Sequence, residues 1–454
     1  MLEKYKVPTL ESITPELIQV LIQKYTINEV PRIKRLKDYY EGNSNIKKRT
    51  MADTSKPNNK IANPFASYIT DTTVGYWLGK PVAYQSEDEE LLAKMQIVFD
   101  RNHEASHNSR LGKDITVAGV AYELLYLDND KNVKLKCLNP ETVFMIYDTT
   151  VEETPLMAVR FLSVEDYLSS DTSIIVEVYT DTYIQEGMIV GDAIAFGEPE
   201  AHYFGKIPVI QYRNNDEATG GFEKVIDLID SYDSAVSDTS NNIEYFADAY
   251  LVLSGLEATE QEDIQDMKEN RVMVLAEGGK AEWLVKGQSS VEVEGFKDRL
   301  REDIFTLSQV PNLSDESFGN ATSGVSLQYK LFGLENIVSI TERNFTASLE
   351  KRLELITNIF NILGGNHDYT YITMAYTRNI PSNMTTLADA ISKLNGIVSH
   401  ETLLSLLPFI DDPAYEIQRI NNESQDTLYE GFQIVNKETG DTLLQSIPDN
   451  EEVA

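Results

Sequence analysis

Between Val325 and Leu363 the chain has no proline and a single glycine, Gly333, and the pair Gly364-Gly365 follows as a stop signal. Apolar residues recur at Leu334, Ile337/Val338, Phe345, Leu349, Leu353, Ile356, Phe360 and Leu363, close to the helical period. One helix over this run would be roughly 57 Å long at about 1.5 Å per residue. A rod of that length needs a large neighbour to bury its stripe, so it reads as a beam in an assembly rather than the wall of a small pocket. The segment feeding it, PNLSDESFGNATSG from Pro311 to Gly324, is dense in residues that satisfy turns or tolerate positive φ. A polar loop therefore enters a long rod directly.

The remainder bounds the fold. A chain of 454 residues with 42% hydrophobic and 9% aromatic residues can build cores of about three domain-sized units. It lacks an 18-residue apolar run, and its amino terminus, MLEKYKVPTLESITPE, lacks the apolar core of a signal peptide. The single cysteine, Cys137, excludes a disulfide framework, and assembly in a reducing, intracellular place is expected. Acidic residues outnumber basic ones 73 to 39, for a net charge of −34. That argues against a protein gripping nucleic acid through its phosphates. It favours solubility, or an acidic lining that lets a duplex pass without sticking.

Along the chain, a helix is expected from Pro15 to Lys24. The stretch PRIKRLKDYYEGNSNIKKR (Pro31–Arg49) then holds seven Lys/Arg in nineteen residues, read as a solvated helix and turn with a polyanion contact as the sharper alternative. Residues 61–221 read as α+β: a helix over Ile61–Gly79, and strand-like segments at Asp114–Asp128, Thr142–Asp148, Leu156–Leu162, Ser173–Tyr183, Met188–Phe196 and Ile207–Tyr212. An amphipathic helix follows from Phe222 to about Ala249. Its apolar face carries Val225, Leu228/Ile229, Tyr232, Val236, Ile243 and Phe246. Its acidic outer face carries Asp227, Asp230/Ser231, Ser234, Asp238 and Asn241/Asn242. A compact insert comes next, with a helix at Thr259–Glu269 and strands at Arg271–Ala276 and Ala281–Val285; a further helix spans Glu294–Ser308. Thr370–Tyr376 is strand-like, 384–423 reads as short helices, and the tail from Ser424 is acidic and weakly patterned.

Catalytic patterns are scarce. His103-Glu104-Ala105-Ser106-His107 is a literal H-E-x-x-H, which on a buried helix could bind zinc with Glu104 as general base. Its flanks, DRNHEASHNSRLGKD, are polar throughout, and nothing singles out a third ligand. The glycine clusters Gly220-Gly221 and Gly278-Gly279-Lys280 lack phosphate-loop spacing, and a G-x-S-x-G elbow is missing. The chain reads as non-enzymatic, with no cofactor or metal assigned. A zinc hydrolase built on His103, Glu104 and His107 and a generic capsid-assembly scaffold stand as rival readings.

Six blocks in order point further: LKDYYEGN (Leu36–Asn43), NNKIANPFASYITDTTVGYWLGKPVAY (Asn58–Tyr84), SHNSRLGKDITVAGVAYELLYLD (Ser106–Asp128), FEKVIDLIDSYDSAVSDTSN (Phe222–Asn241), PNLSDESFGNATSGVSLQYKLFGLE (Pro311–Glu335) and YTRNIPSN (Tyr376–Asn383). Together they span about residues 30–420, and in them the chain resembles the portal proteins of tailed bacteriophages, the type of long, non-contractile-tailed phages of Gram-positive hosts. The resemblance implies an α+β portal fold and a homo-oligomeric ring of twelve at one capsid vertex of the virion, assembled in the host cytoplasm. Double-stranded DNA would be packaged and ejected through it without base reading, and the terminase large subunit, a head-tail connector or adaptor, and the major capsid and scaffolding proteins would be its partners.

Carried onto this sequence, the resemblance puts an amino-terminal segment at 1–60 and a wing at 61–221, rejoined by 325–380. Stem helices fall at 222–249 and 294–308 with a clip at 250–293 between them, and the crown and acidic tail at 381–454. The tunnel loop would be 309–324, carrying Asn312, Ser314, Asp315, Glu316, Phe318, Asn320, Thr322 and Ser323; its small polar residues would touch a duplex without reading bases, and Phe318 reads as a packing anchor rather than a DNA wedge. The acidic face of the first stem helix, with Asp227, Asp230, Ser234 and Asp238, is read as the tunnel lining.

Overall fold

The computed structural model describes residues 3–54, 56–165, 172–191, 193–246, 250–254, 280–284, 290–314, 324–380, 388, 391–405, 407, 410, 416–417 and 419–420. The chain divides into two units, Met1–Asn379 and Ile380–Ala454. The first carries the recognisable architecture. It opens with strand β1 (Tyr5–Lys6) and two helices, α1 (Pro15–Asn28) and α2 (Val30–Tyr40). Helix α1 starts where Thr14 accepts from the Leu17 N–H and Pro15 occupies a first-turn position. Ile18, Leu21, Ile22 and Tyr25 follow at helical spacing and are buried. They pack on a seven-stranded sheet ordered β1, β5 (Val143–Tyr147), β6 (Pro155–Glu165), β7 (Thr172–Tyr179), β8 (Tyr183–Val190) and β10 (Glu200–Ala201), with β9 (Ala193–Phe196) also paired to β8. Every residue of β5 is buried, which fits its place inside the sheet beneath α1.

A second sheet is ordered β11 (Val209–Arg213), β3 (Val120–Leu127) and β4 (Val133–Leu138). Helices α3 (Phe65–Leu78), α4 (Glu89–Asn102) and α5 (Glu104–Ala118) gather around it, while β2 (Ala83–Ser86) pairs with β14 (Ile372–Ala375). The first third of the expected strand Asp114–Asp128 is helix. α5 continues to Ala118, and Gly119 at φ 79 turns the chain into β3. A Cβ at Gly119 would lie 2.0 Å from the Ala218 carbonyl oxygen, so the turn requires glycine. The expected strand Met188–Phe196 is a hairpin broken at Gly191, φ 64, between β8 and β9. Helix α3 begins only at Phe65 because residues 58–64 run extended along another helix.

That partner is α6 (Ile226–Phe246), preceded by a 3-10 turn at Glu223–Val225. It packs against α7 (Ser290–Ser308), and between them in sequence lie paired strands β12 (Tyr250–Ser254) and β13 (Lys280–Leu284). Strand β12 was not legible in the sequence; the expected segments Thr259–Glu269 and Arg271–Ala276 fall outside the described residues. Helix α8 (Gly324–Ile362) has 39 residues, roughly 58 Å at about 1.5 Å each. Its end matches the glycine stop: Gly364 takes φ 102, the Gly365 N–H donates to Phe360 O at 3.1 Å and the Gly364 N–H to Asn361 O at 3.1 Å. Leu334, Val338, Phe345, Leu349, Leu353 and Ile356 are buried as the period required, whereas Leu363, past the helix end, is exposed.

In the second unit, helix α9 (His400–Ser405) is capped by Ser399, whose Oγ accepts from the Thr402 N–H at 3.2 Å, and Leu403 is buried. Among the described residues, no helix is long and apolar enough to cross a membrane.

Candidate functional site

The root of the polar loop is built by three contacts. After α7 ends, Gln309 adopts φ 58 and Val310 is buried. Tyr68 on α3 then clamps the next turn: its hydroxyl donates to Pro311 O at 3.0 Å and accepts from the Leu313 N–H at 2.8 Å. Gly333, the lone glycine of α8, sits against Gln309, where a Cβ would meet the Gln309 carbonyl oxygen at 3.3 Å. That close approach explains a glycine inside a long helix. Asn312 accepts from the Ser314 N–H at 3.2 Å, a local turn that opens the loop. Asp315, Glu316, Phe318, Asn320, Thr322 and Ser323 lie outside the described residues.

Helix α8, which leaves the loop, is fixed by two charged clusters. Near its start, Arg378 donates to Glu335 at 2.7 and 2.8 Å and also to Glu342, while Tyr76 on α3 donates to Glu335 Oε2 at 2.6 Å. The Arg378 bonds hold the Glu335 carboxyl below its ordinary range. Farther on, Arg352 is fully buried. Its Nε donates to Glu123 Oε2 on β3 at 2.9 Å, and Nη1 donates to Asn108 Oδ1 at 2.8 Å and Glu104 Oε1 at 3.3 Å on α5. Glu123 also accepts from Tyr212 at 2.6 Å and from His107 Nε2 at 2.7 Å. Burial pushes the Glu123 carboxyl up, but Arg352 and His107 outweigh it and hold the group at about 2. Cys137 lies 3.6 Å from His107 Nδ1, with its thiol pushed up to about 12 by burial and by Glu123. Such a thiol is a poor nucleophile.

The H-E-x-x-H string thus has another use. Helix α5 begins at Glu104, so His103 is not on it but at the left-handed junction, φ 50. Glu104 accepts from Tyr84 at 2.6 Å, from Asn108 and from Arg352, and the guanidinium beside it opposes a dication. His107 spends Nε2 on Glu123. Glu104 and His107 are partners of Arg352, and sequence spacing could not reveal this because Arg352 lies 248 residues from Glu104.

The basic stretch Pro31–Arg49 is a solvated helix and turn, with Lys34, Arg35, Lys47 and Lys48 exposed, tied to the subunit by ion pairs. Arg32 pairs with Glu223 at 2.5 Å, Lys37 with Glu141 at 2.5 Å, Lys48 with Asp38 at 3.2 Å and Arg49 with Asp238 at 2.7 Å. These pairs favour the reading of this stretch as structural rather than polyanion-binding.

Helix α6 corrects its expected face. Its buried side includes Asp233, Ser237 and Asn241, spaced four apart, and Ile243, placed on the apolar face, is 70% exposed. Asp233 accepts from Ser44 Oγ at 2.5 Å, from the Asn63 N–H at 2.9 Å and from Asn63 Nδ2 at 2.8 Å. The Ile61 N–H donates to Ser237 Oγ at 2.9 Å and the Asn59 N–H to Asn241 Oδ1 at 2.7 Å. The polar row is a docking strip for the extended segment 58–64, whose backbone donors it satisfies. Of the four stem candidates, Asp227 is fully exposed and Ser234 half-buried. Asp230 accepts from Tyr39 at 2.5 Å and from Asn45 at 2.8 Å, and Asp238 pairs with Arg49. Aromatic edges of Phe65 against Tyr232 and Phe305, with ring centroids 5.0 and 5.8 Å apart, join α3, α6 and α7 at the same level.

Two curated relatives cover most of the chain. The portal protein of Bacillus phage SPP1 is 23% identical over 94% of this chain and 90% of its own length, and that of Clostridium phage phiCD119 is 24% identical over 82% and 88%. A chain in the solved neck of the native GTA particle, computed with C12 symmetry, is similar at 14% identity and a TM-score of 0.42, covering 76% of this chain and 90% of that one. The family model described as phage portal protein, SPP1 Gp6-like, matches residues 21–428, so the chain belongs to that family.

Proposed function

We propose that the chain is the portal subunit of a tailed phage, a structural component and not an enzyme. Copies form a ring of twelve at one capsid vertex, and double-stranded DNA is packaged and ejected through its channel. The observation that carries this reading is the family match over residues 21–428, which takes in both α6–α7 and the loop leading into α8. In the ring, 61–221 together with α8 and β14 is the wing, α6 and α7 are the stem, 250–293 is the clip and 381–454 the crown and tail. The loop from Gln309 to Gly324 faces DNA. The terminase large subunit and then the head-tail connector dock on the clip, and the major capsid and scaffolding proteins surround the wing during assembly in the host cytoplasm.

Physical chemistry supports the channel. A chain of net charge −34 offers passing phosphates few cations to settle on, so a duplex slides rather than sticks. On α6, Asp227, Asp230, Ser234 and Asp238 remain the stem lining; Asp227 is the most exposed of the acids, while Asp230 and Asp238 also serve partners within the subunit. Negative-stain images of purified protein should show rings with a hole as wide as a duplex. Shortening Ser314–Thr322 should leave those rings intact and impair DNA filling of heads. Normal filling in that variant would remove the role given to the loop; a chain that never forms rings would remove the portal role.

A further inference from the structure

Between β1, the Glu152–Pro155 turn, β11 and the middle of α8 lies a cleft of about 660 Å³. Two of its cations have no acid. Arg213, at the end of β11, is fixed at one edge: Nε donates to Gln211 Oε1 at 2.9 Å, an oxygen that also accepts from Tyr147 at 2.8 Å. Lys351 reaches in from α8. Among the described residues, neither has a carboxylate within 4.0 Å. The other two lysines of the cleft are satisfied, Lys206 by Glu354 at 2.6 Å and Lys4 by Glu153. Partial burial of the amine, then Arg213, push Lys351 below its ordinary value, with Glu354 acting the other way. Two neighbouring cations without a carboxylate, gathered in one cleft with Arg213 already fixed in place, offer a seat for an oxyanion from outside the subunit. Glu152 and Asp181 also line the cleft and disfavour a polyanion such as DNA there.

The cleft is continuous with a helix face that is exposed and, among the described residues, unpartnered. Tyr329, Phe332, Asn336, Ile340, Arg343, Ala347 and Lys351 recur every three or four residues along α8 and are all exposed; the three large apolar ones reach 79%, 64% and 50%. An occupant must therefore be apolar over the first half of the helix and carboxylate-bearing over the second. The surface of this same chain, with 73 acids against 39 bases, offers carboxylates in excess. We propose that this face of α8 seats the adjacent copy in the ring, which places a carboxylate in the cleft against Arg213 and Lys351 and apolar side chains over Tyr329, Phe332 and Ile340. The proposal rests on the ring reading given above.

The test uses the full chain, followed by mass photometry across concentration. Joint replacement Arg213→Glu and Lys351→Glu should raise the concentration needed for half-assembly by about tenfold or more, whereas Arg213→Lys with Lys351→Arg should stay near wild type. Amine labelling of the wild type gives a readout that does not depend on variant folding. Lys351 should lose reactivity on assembly, while exposed Lys136, away from the cleft, serves as the internal reference. Normal rings from the double Glu variant, or equal Lys351 labelling before and after assembly, overturn this face and leave the ring standing. Full protection of Lys351 by inorganic phosphate in the unassembled chain, with no change on assembly, also overturns it in favour of a free-anion site. A wild-type chain that never assembles removes the ring and this face together.

Discussion

Arg352, in the last third of the 39-residue helix α8, donates from Nε to Glu123 Oε2 at 2.9 Å, and both side chains have 0% exposure. A buried ion pair contributes less to net stability than its geometry suggests, because desolvation offsets most of the attraction. Its use here is positional. Apolar ridges on a long helix allow small slides and rotations; a guanidinium held at once by Glu123, Asn108 and Glu104 allows one setting. The setting matters because the same helix carries the root of the polar loop at Gly333.

Breaking the pair should be costly. Arg352→Met leaves two buried carboxylates without their cation, and the expected loss is about 3–5 kcal/mol in urea unfolding. Adding Glu123→Gln to that variant should recover part of the loss, with a coupling above about 1 kcal/mol in the double-mutant cycle. Strictly additive losses would mean that the two side chains do not act as a unit.

Acid should weaken the protein through the same contact. Glu123 is held at about 2 against an ordinary 4.5. A depressed carboxyl contributes its full stabilisation above the unfolded value and loses it as pH falls from about 4.5 toward 2. Wild-type stability should therefore decline across that window, and Glu123→Gln should flatten the decline although it is less stable at neutral pH. Dilute protein is needed, since the net charge vanishes near the pI of 4.5.

The long helix and its glycine stop were legible because they rest on local signals: period and a left-handed terminus. The helix α5 was misread as strand from Asp114 onward, since Ile115, Thr116 and Val117 favour strands locally and only packing keeps them helical. The face of α6 was misassigned for a related reason. Amphipathic reasoning placed Asn241 outward and Ile243 inward and gave Asp233 and Ser237 no role, but an extended segment from 170 to 182 residues away needs its backbone donors met by Asp233, Ser237 and Asn241. Long-range polar pairing leaves no periodic trace, so Arg352 was invisible as the partner of the H-E-x-x-H string.

Two glycines with nearly equal φ separate strain from collision. Gly42 at φ 77 has open space where a Cβ would stand, and Gly119 at φ 79 has the Ala218 carbonyl oxygen 2.0 Å away. Gly42→Ala should cost about 1–2 kcal/mol, the ordinary penalty for a left-handed alanine. Gly119→Ala should cost beyond about 4 kcal/mol or fail to fold, because the obstacle is backbone and cannot swing aside. Similar losses at both positions in thermal unfolding would remove the packing explanation for Gly119.

Asp233 offers a last contrast, between an acceptor and a charge. It is fully buried, accepts from Ser44 and twice from Asn63, and has no cation beside it; burial raises its carboxyl despite those hydrogen bonds. Asp233→Ala strips the acceptor and leaves the Asn63 N–H buried and unmatched, a loss of about 2–3 kcal/mol. Residues 44–63 should then become sensitive to limited proteolysis. Asp233→Asn keeps an acceptor oxygen for the Asn63 N–H and removes the buried charge, so it should stay within about 1 kcal/mol of wild type at neutral pH. The pH dependence has the opposite sign from Glu123. A carboxyl raised by folding is best tolerated while protonated, and it costs stability as pH rises past its ordinary value. The Asn variant should therefore gain on wild type as pH climbs from about 4 toward neutrality. If instead it loses ground over that range, the negative charge itself holds the 58–64 segment on α6.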